Sequence, residues 1–225
     1  MNIHTTLIVS SLIAASLVTG AAHAALQGRD LNGSAGSFEA YYDTDLNITW
    51  LADANYAKTS GYHSNGQMTW HEATTWVASL SFIAGVNVYD DWRLPSALNQ
   101  NGTGPCNRFN CTDSEMGHMF YVELGGTARH SILESTDPDL AKFSNIQGLY
   151  WSSTETSNES LVWLFGPVDG YQGTNYKADY WWAWAVSDGD VGVSAVPEPE
   201  TYAMLLAGLL FIGFAKRHHS NNHKS

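Results

Sequence analysis

Basic residues are scarce in this sequence: ten Lys and Arg face 22 Asp and Glu, a formal net charge of −12. Between residues 25 and 196 the imbalance is sharper, with only Arg29, Lys58, Arg93, Arg108, Arg129, Lys142 and Lys177 set against twenty acidic side chains. A field of that sign repels polyanions and excludes nucleic acid and sulfated glycans as partners, while neutral polysaccharide, cations and basic surfaces remain open. Cysteine is nearly absent too. Cys106 and Cys111 are the only pair, so no second pair is at hand to complete a zinc set, and His118 is the nearest imidazole. Long apolar runs are missing as well: the longest, Ala203 to Ala215, has 13 residues. As a helix it rises roughly 20 Å against a hydrocarbon core of about 30 Å. Aromatic residues, by contrast, are plentiful. All nine Trp lie between residues 25 and 196, so the acidic composition does not signal disorder.

The chain ends read as addresses. Leu7 to Val18 has the length of a signal-peptide apolar region, and Ala22-His23-Ala24 is a small-x-small cleavage pattern. At the other end, Val196-Pro197-Glu198-Pro199 precedes the short apolar run, and Lys216-Arg217-His218-His219 follows it as a basic cytoplasmic flank. Pro-Glu-Pro, apolar run, basic end: this order resembles the PEP-CTERM sorting signal of Gram-negative bacteria. The resemblance implies processing by signal peptidase and exosortase, with a transient inner-membrane anchor before release to the cell surface or extracellular matrix. The expected organisation is a signal peptide over 1–24, one extracellular domain over 25–195, a sorting signal over 196–219 with a short membrane helix at 202–215, and a polar tail at 220–225. The sorting residues are Pro197, Glu198 and Pro199.

The domain itself is long enough for a sizeable core. Phe38 to Leu51 mixes aromatic and β-branched residues around the polar turn Asp43-Thr44-Asp45, the pattern of a hairpin. Thr69-Trp-His-Glu72 is a capping box opening a helix with Trp70, Ala73, Val77 and Leu80 on one face, and Gly85 lies just past its end. Thr112-Asp-Ser-Glu115 predicts a second, with Met116, Met119, Phe120 and Leu124 inward. Beyond Gly148 short strands are predicted over Leu149–Ser152, Leu161–Phe165 and Tyr180–Val186. Two helices followed by a strand-rich C-terminal half make an α+β domain. Cys106 and Cys111 sit in a Gly/Pro/Asn-rich loop and, in an exported chain, pair with each other; closing so small a loop contributes about 2 kcal/mol.

Several strings carry a further resemblance: Thr49-Trp50-Leu51, Met68-Thr-Trp-His-Glu-Ala73, Asp91-Trp-Arg-Leu-Pro95, Ser114-Glu-Met-Gly-His118 and Leu149-Tyr-Trp-Ser-Ser-Thr154. Together they look like the DUF1566 or Lcl-type domain, whose fold resembles C-type lectins and whose better-known members adhere to glycans. In that family an Arg follows the final strand, whereas Ser187-Asp188 stand here. In Asp91-Trp92-Arg93-Leu94-Pro95, strand alternation sets Trp92 and Leu94 inward and leaves Arg93 opposite, free to meet a carboxylate.

Functional candidates are few. Trp181, Tyr171 and Tyr176 are the ligand-binding candidates: strand alternation puts Trp182 and Trp184 on one face and Trp181 on the other, where flat rings can stack on sugars. The acidic strings Asp43-Thr44-Asp45, Asp90-Asp91 and Asp188-Gly189-Asp190 offer too few oxygens for a calcium-dependent sugar site and leave calcium at most a structural role. No metal ligand and no cofactor is assigned. Gly-x-Ser-x-Gly, His-Glu-x-x-His and phosphate-loop motifs are all absent, and no catalytic residue stands out. The expectation is a non-catalytic cell-surface or matrix protein binding neutral glycan, exopolysaccharide or neighbouring proteins; the alternatives are a structural matrix protein without a discrete ligand site and a glycan-active enzyme.

Overall fold

Phe38 to Leu51 forms the expected hairpin. Strands β2 (Ala40–Asp43) and β3 (Ile48–Leu51) pair antiparallel with Asp43 opposite Ile48. Asp43 shapes the turn between them: its Oδ1 accepts from the backbone N–H of Asp45 and of Leu46, 3.0 Å each. The computed structural model describes residues 26–34 and 36–194. The expected signal peptide (1–24), the sorting residues Pro197, Glu198 and Pro199, the apolar helix at 202–215 and the polar tail lie outside the described residues. Among those described, no helix is long and apolar enough to cross a membrane.

The hairpin is the centre of a six-stranded sheet. Strand β1 (Leu26–Asp30) lies between β2 and β11 (Val193–Ser194), with Arg29 opposite Ser194, while β10 (Val186–Asp188) joins β3 to β6 (Trp92–Arg93). A three-stranded sheet of β7 (Tyr150–Glu155), β8 (Leu161–Gly166) and β9 (Tyr171–Tyr176) and a small hairpin of β4 (Phe82–Ala84) and β5 (Asn87–Tyr89) complete the strands. Helix content is low: α1 (Tyr56–Thr59), α2 (Trp70–Ala78) and α3 (Glu115–His118) with its π-turn (Met119–Glu123). The domain is α+β and strand-rich throughout: besides the expected hairpin, β1 and β4 to β6 place further strands ahead of the C-terminal half.

Helix α2 starts where the sequence predicts. Thr69 accepts from the Glu72 N–H while Glu72 reaches back to the Thr69 N–H, closing the capping box. It buries Trp70, Ala73, Trp76 and Val77 and stops at Ala78. Gly85, expected to end it, instead takes φ +63 in the β4–β5 turn. Truncating the fully buried Trp76 to Ala would cost about 3–5 kcal/mol.

The second predicted capping box is not formed. Ser114, not Thr112, caps α3 by accepting from the Gly117 N–H at 3.2 Å, because the Glu115 carboxylate is taken by Arg93. Gly117 is required here: a Cβ would meet the Cys111 carbonyl oxygen at 1.7 Å. After one turn α3 widens, and Leu124 N–H donates to Met119 O, an i+5 to i bond. Met116, Met119, Phe120 and Leu124 are buried as predicted.

Two packed clusters form the core, and indoles dominate both. Trp70, Trp76, Trp92 and Trp151 sit in one; Trp50, Trp184, Tyr150 and Phe120 in the other. Buried ring N–H groups reach across the chain to backbone oxygens: Trp70 to Ser152, Trp151 to Met68, Trp184 to Leu51, at 2.7–2.8 Å. The Cys106–Cys111 disulfide is formed. Its loop is pinned by Gln172, whose buried amide donates to Ala97 O and Cys106 O and accepts from Ser114 Oγ.

Candidate functional site

Tyr171 and Tyr176 are the first and last residues of β9, not members of a glycine-rich loop as expected. Five positions apart on a strand, they point to opposite faces about 17 Å from one another. The Tyr171 ring meets Phe109 edge-on at 5.5 Å and is half-buried, whereas Tyr176 is 61% exposed. Trp181 is half-buried and packs on the first core cluster; its Nε1 is buried with no hydrogen-bond partner among the described residues. The three candidates therefore do not share one platform. The expected strand over Tyr180–Val186 is also replaced: Trp181 pairs with Met68, Trp182 with Tyr150, and only Val186 enters a ladder. The predicted alternation nevertheless holds, since Trp182 and Trp184 face the second cluster and Trp181 the first.

Around Tyr176 a surface does assemble. Tyr176 and Tyr180, the latter 59% exposed, flank a turn in which the Asp179 N–H donates to Tyr176 O at 3.0 Å. Within that turn Lys177 sets its Nζ 4.4 Å from the centre of the Trp70 ring and pairs with Glu155. Trp70 and Glu155 line a pocket of about 280 Å³ together with Thr74, Trp92, Arg93 and Ser153. A larger groove of about 520 Å³, between Gly125 and Pro138, is walled by Thr127, His130, Ser131, Glu134 and Asp137 and has no aromatic floor.

The acidic strings have separate fates. Asp188 pairs with Arg93, and Asp190 pairs with Arg29. Asp43 turns inward instead and lies beside His118 and Glu123, all three buried. Burial pushes the Asp43 carboxyl up to about 6, the nearby Glu123 charge adding to it while the Leu46 and Asp45 amides and His118 oppose. Burial pulls the His118 imidazole down, but the hydrogen bond to Glu123 and the charges of Asp43, Glu123 and Asp45 together outweigh it and leave it raised. In the sequence His118 stands out as the imidazole nearest the cysteines, and Glu123 belongs to no motif. The one local signal was a charged residue among apolar ones at the end of Met119–Glu123.

Comparison with known proteins adds the chain's destination. A PEP-CTERM protein-sorting motif occupies residues 195–218. The motif implies exosortase-dependent export and a cell-surface or matrix location. It begins just after the last strand among the described residues and bears on none of the residues of the folded domain. No curated protein and no solved structure matches the chain.

Proposed function

We propose that the exported domain is a non-catalytic glycan-binding module, C-type-lectin-like and of the DUF1566 or Lcl type, that exosortase delivers to the cell surface or polysaccharide matrix after a transient inner-membrane stage. The observation that supports this reading is the pair of exposed residues Tyr176 and Tyr180 on either side of Lys177, whose ammonium reaches Trp70 and Glu155 on the wall of a pocket. Exposed tyrosines give flat apolar area at little entropic cost, suited to the C–H face of a sugar ring. Ser153 and Glu155 add hydrogen-bonding groups for hydroxyls, while the Arg93 guanidinium is taken up by Glu115, Asp188 and the Leu94 carbonyl. The acidic domain favours neutral polysaccharide over polyanions. Trp181 supports the turn from the core side, and Tyr171 belongs to the far end of β9.

A glycan array with a hydrolysis readout tests this. Neutral polysaccharide should bind without sugar release, equally at low and physiological salt. Tyr176→Ala combined with Tyr180→Ala should weaken binding about tenfold, some 1.4 kcal/mol, at unchanged melting temperature. Absence of binding makes the domain a structural matrix protein, and release of product makes it an enzyme.

A further inference from the structure

Asp43, His118 and Glu123 come from distant parts of the chain and meet inside it. Asp43 closes β2 and is 0% exposed; His118 ends α3 and Glu123 ends the π-turn, at 7% and 6%. One ligand-type atom from each lies within 4.8 Å of the others, and His118 Nε2 is 3.0 Å from Glu123 Oε1. The π-turn makes that approach. In a regular α-helix, residues five apart diverge by about 140°, whereas the i+5 to i bonding here stacks 123 over 118.

The second observation is an orphan. Asp43 Oδ1 is held by two backbone amides, which fixes the carboxylate, but its Oδ2 is buried with no partner among the described residues. Nor, among the described residues, does a Lys or Arg form an ion pair with either Asp43 or Glu123. Two buried carboxylates beside a single imidazole are costly, since even a protonated His118 offsets only one of the two charges. A dication with a neutral imidazole balances them to zero.

We propose that Asp43, His118 and Glu123 bind one divalent transition-metal ion, zinc by the match of donors, taken up as the domain folds. Carboxylate oxygen and imidazole nitrogen are both donors that zinc takes, with bonds of about 2.0–2.2 Å, which puts donor atoms roughly 3–4 Å apart. The separations here need only a small contraction. Calcium is disfavoured because it takes six to eight oxygens and this set includes a nitrogen. The ion ties the β2–β3 turn to α3, and its role is structural.

Metal analysis of the purified full-length protein, followed by chelation and refolding with zinc or cobalt, tests the site. Wild type should carry or take up about one equivalent. Zinc at a hundredfold excess over its Kd should raise the melting temperature by about 5–10 °C. Cobalt should give visible absorption bands of a nitrogen–oxygen site without sulfur charge transfer. Asp43→Asn and Glu123→Gln, nearly isosteric, should each lose the equivalent and the thermal shift. Failure of wild type to bind zinc or cobalt on refolding overturns the proposal, as does undiminished uptake by both variants. If the variants do not fold, the cobalt spectrum of wild type decides alone. A wild-type protein free of metal, with variants at least as stable, would show three side chains that share protons instead.

Discussion

Arg93 and Glu115 meet through two parallel hydrogen bonds, Nη1 to Oε2 at 2.8 Å and Nη2 to Oε1 at 2.7 Å, and these fasten the two-residue strand β6 to the first turn of α3. Glu115 Oε2 also accepts from the Ser96 N–H, so one carboxylate orders strand, turn and helix. A single ammonium cannot reproduce the fork. Arg93→Lys should therefore cost about 1–2 kcal/mol, a fall of roughly 2–8 °C in melting temperature. Asp188→Asn, which removes the exposed partner of the same Arg, should cost under about 1 kcal/mol. Thermal unfolding of the two variants side by side checks the ranking.

Gln172 should prove more important than its sequence neighbourhood suggests. Gln172→Leu strands the Ala97 and Cys106 carbonyls and the Ser114 hydroxyl, all now bonded to the buried amide. The expected loss is about 2–3 kcal/mol in urea unfolding. Gln172→Glu should be worse, because it sets a carboxylate against two carbonyl oxygens. Equal stability of Glu and Leu variants would contradict this account.

Stability should fall in alkali. Burial holds the Tyr150 phenol well above its ordinary value of 10.0, the Gln147 amide opposing and the Asp53 charge adding, and Tyr121 and Tyr41 are raised as well, chiefly by partial burial. Above pH 10 the folded state keeps a proton that the unfolded chain releases, so the slope of stability with pH is negative there. Tyr150 contributes fully below its unfolded value and loses up to about 1.4 kcal/mol per pH unit above it. Tyr150→Phe should flatten that part of the curve, as urea midpoints between pH 9 and 11 will record.

The tail should be removed in a host with exosortase. Mass spectrometry of the surface-exposed form should find no peptide from Lys216 to Ser225. Replacing Pro197, Glu198 and Pro199 by alanine should leave the protein in the inner-membrane fraction. Recovery of the intact tail on the surface would refute processing.

Local features were legible in the sequence, and long-range ones were not. The Thr69–Glu72 box and the β2–β3 hairpin rest on neighbours within a few residues, so their chemistry shows in the string. So did the disulfide, with four residues between its cysteines. Strand β9 was hidden because Gln172, Gly173 and Asn175 lack strand-forming character; the ladder to β8 supplies what propensity does not. Strand β1 was equally disguised: Gly28 sits in it because the Phe38 ring covers the spot a Cβ would fill. Glu115 reads as half of a capping box until Arg93 arrives from another strand. Tyr176 was legible as an exposed aromatic, but its company with Tyr180, Lys177 and Trp70 depends on a turn. The meeting of Asp43 with His118 and Glu123 was beyond reach, since it needs both a contact across 75 positions and a helix that widens at one turn.

Strand β11 runs antiparallel to β1, with Arg29 opposite Ser194 and Asp30 opposite Val193. The chain entering at Leu26 and the chain leaving at Ser194 therefore point the same way from neighbouring strands, about 5 Å apart. Whatever precedes residue 26 and follows residue 194 thus starts from the same end of two adjacent strands. An anchor at either end would therefore hold the domain by the same edge of its six-stranded sheet.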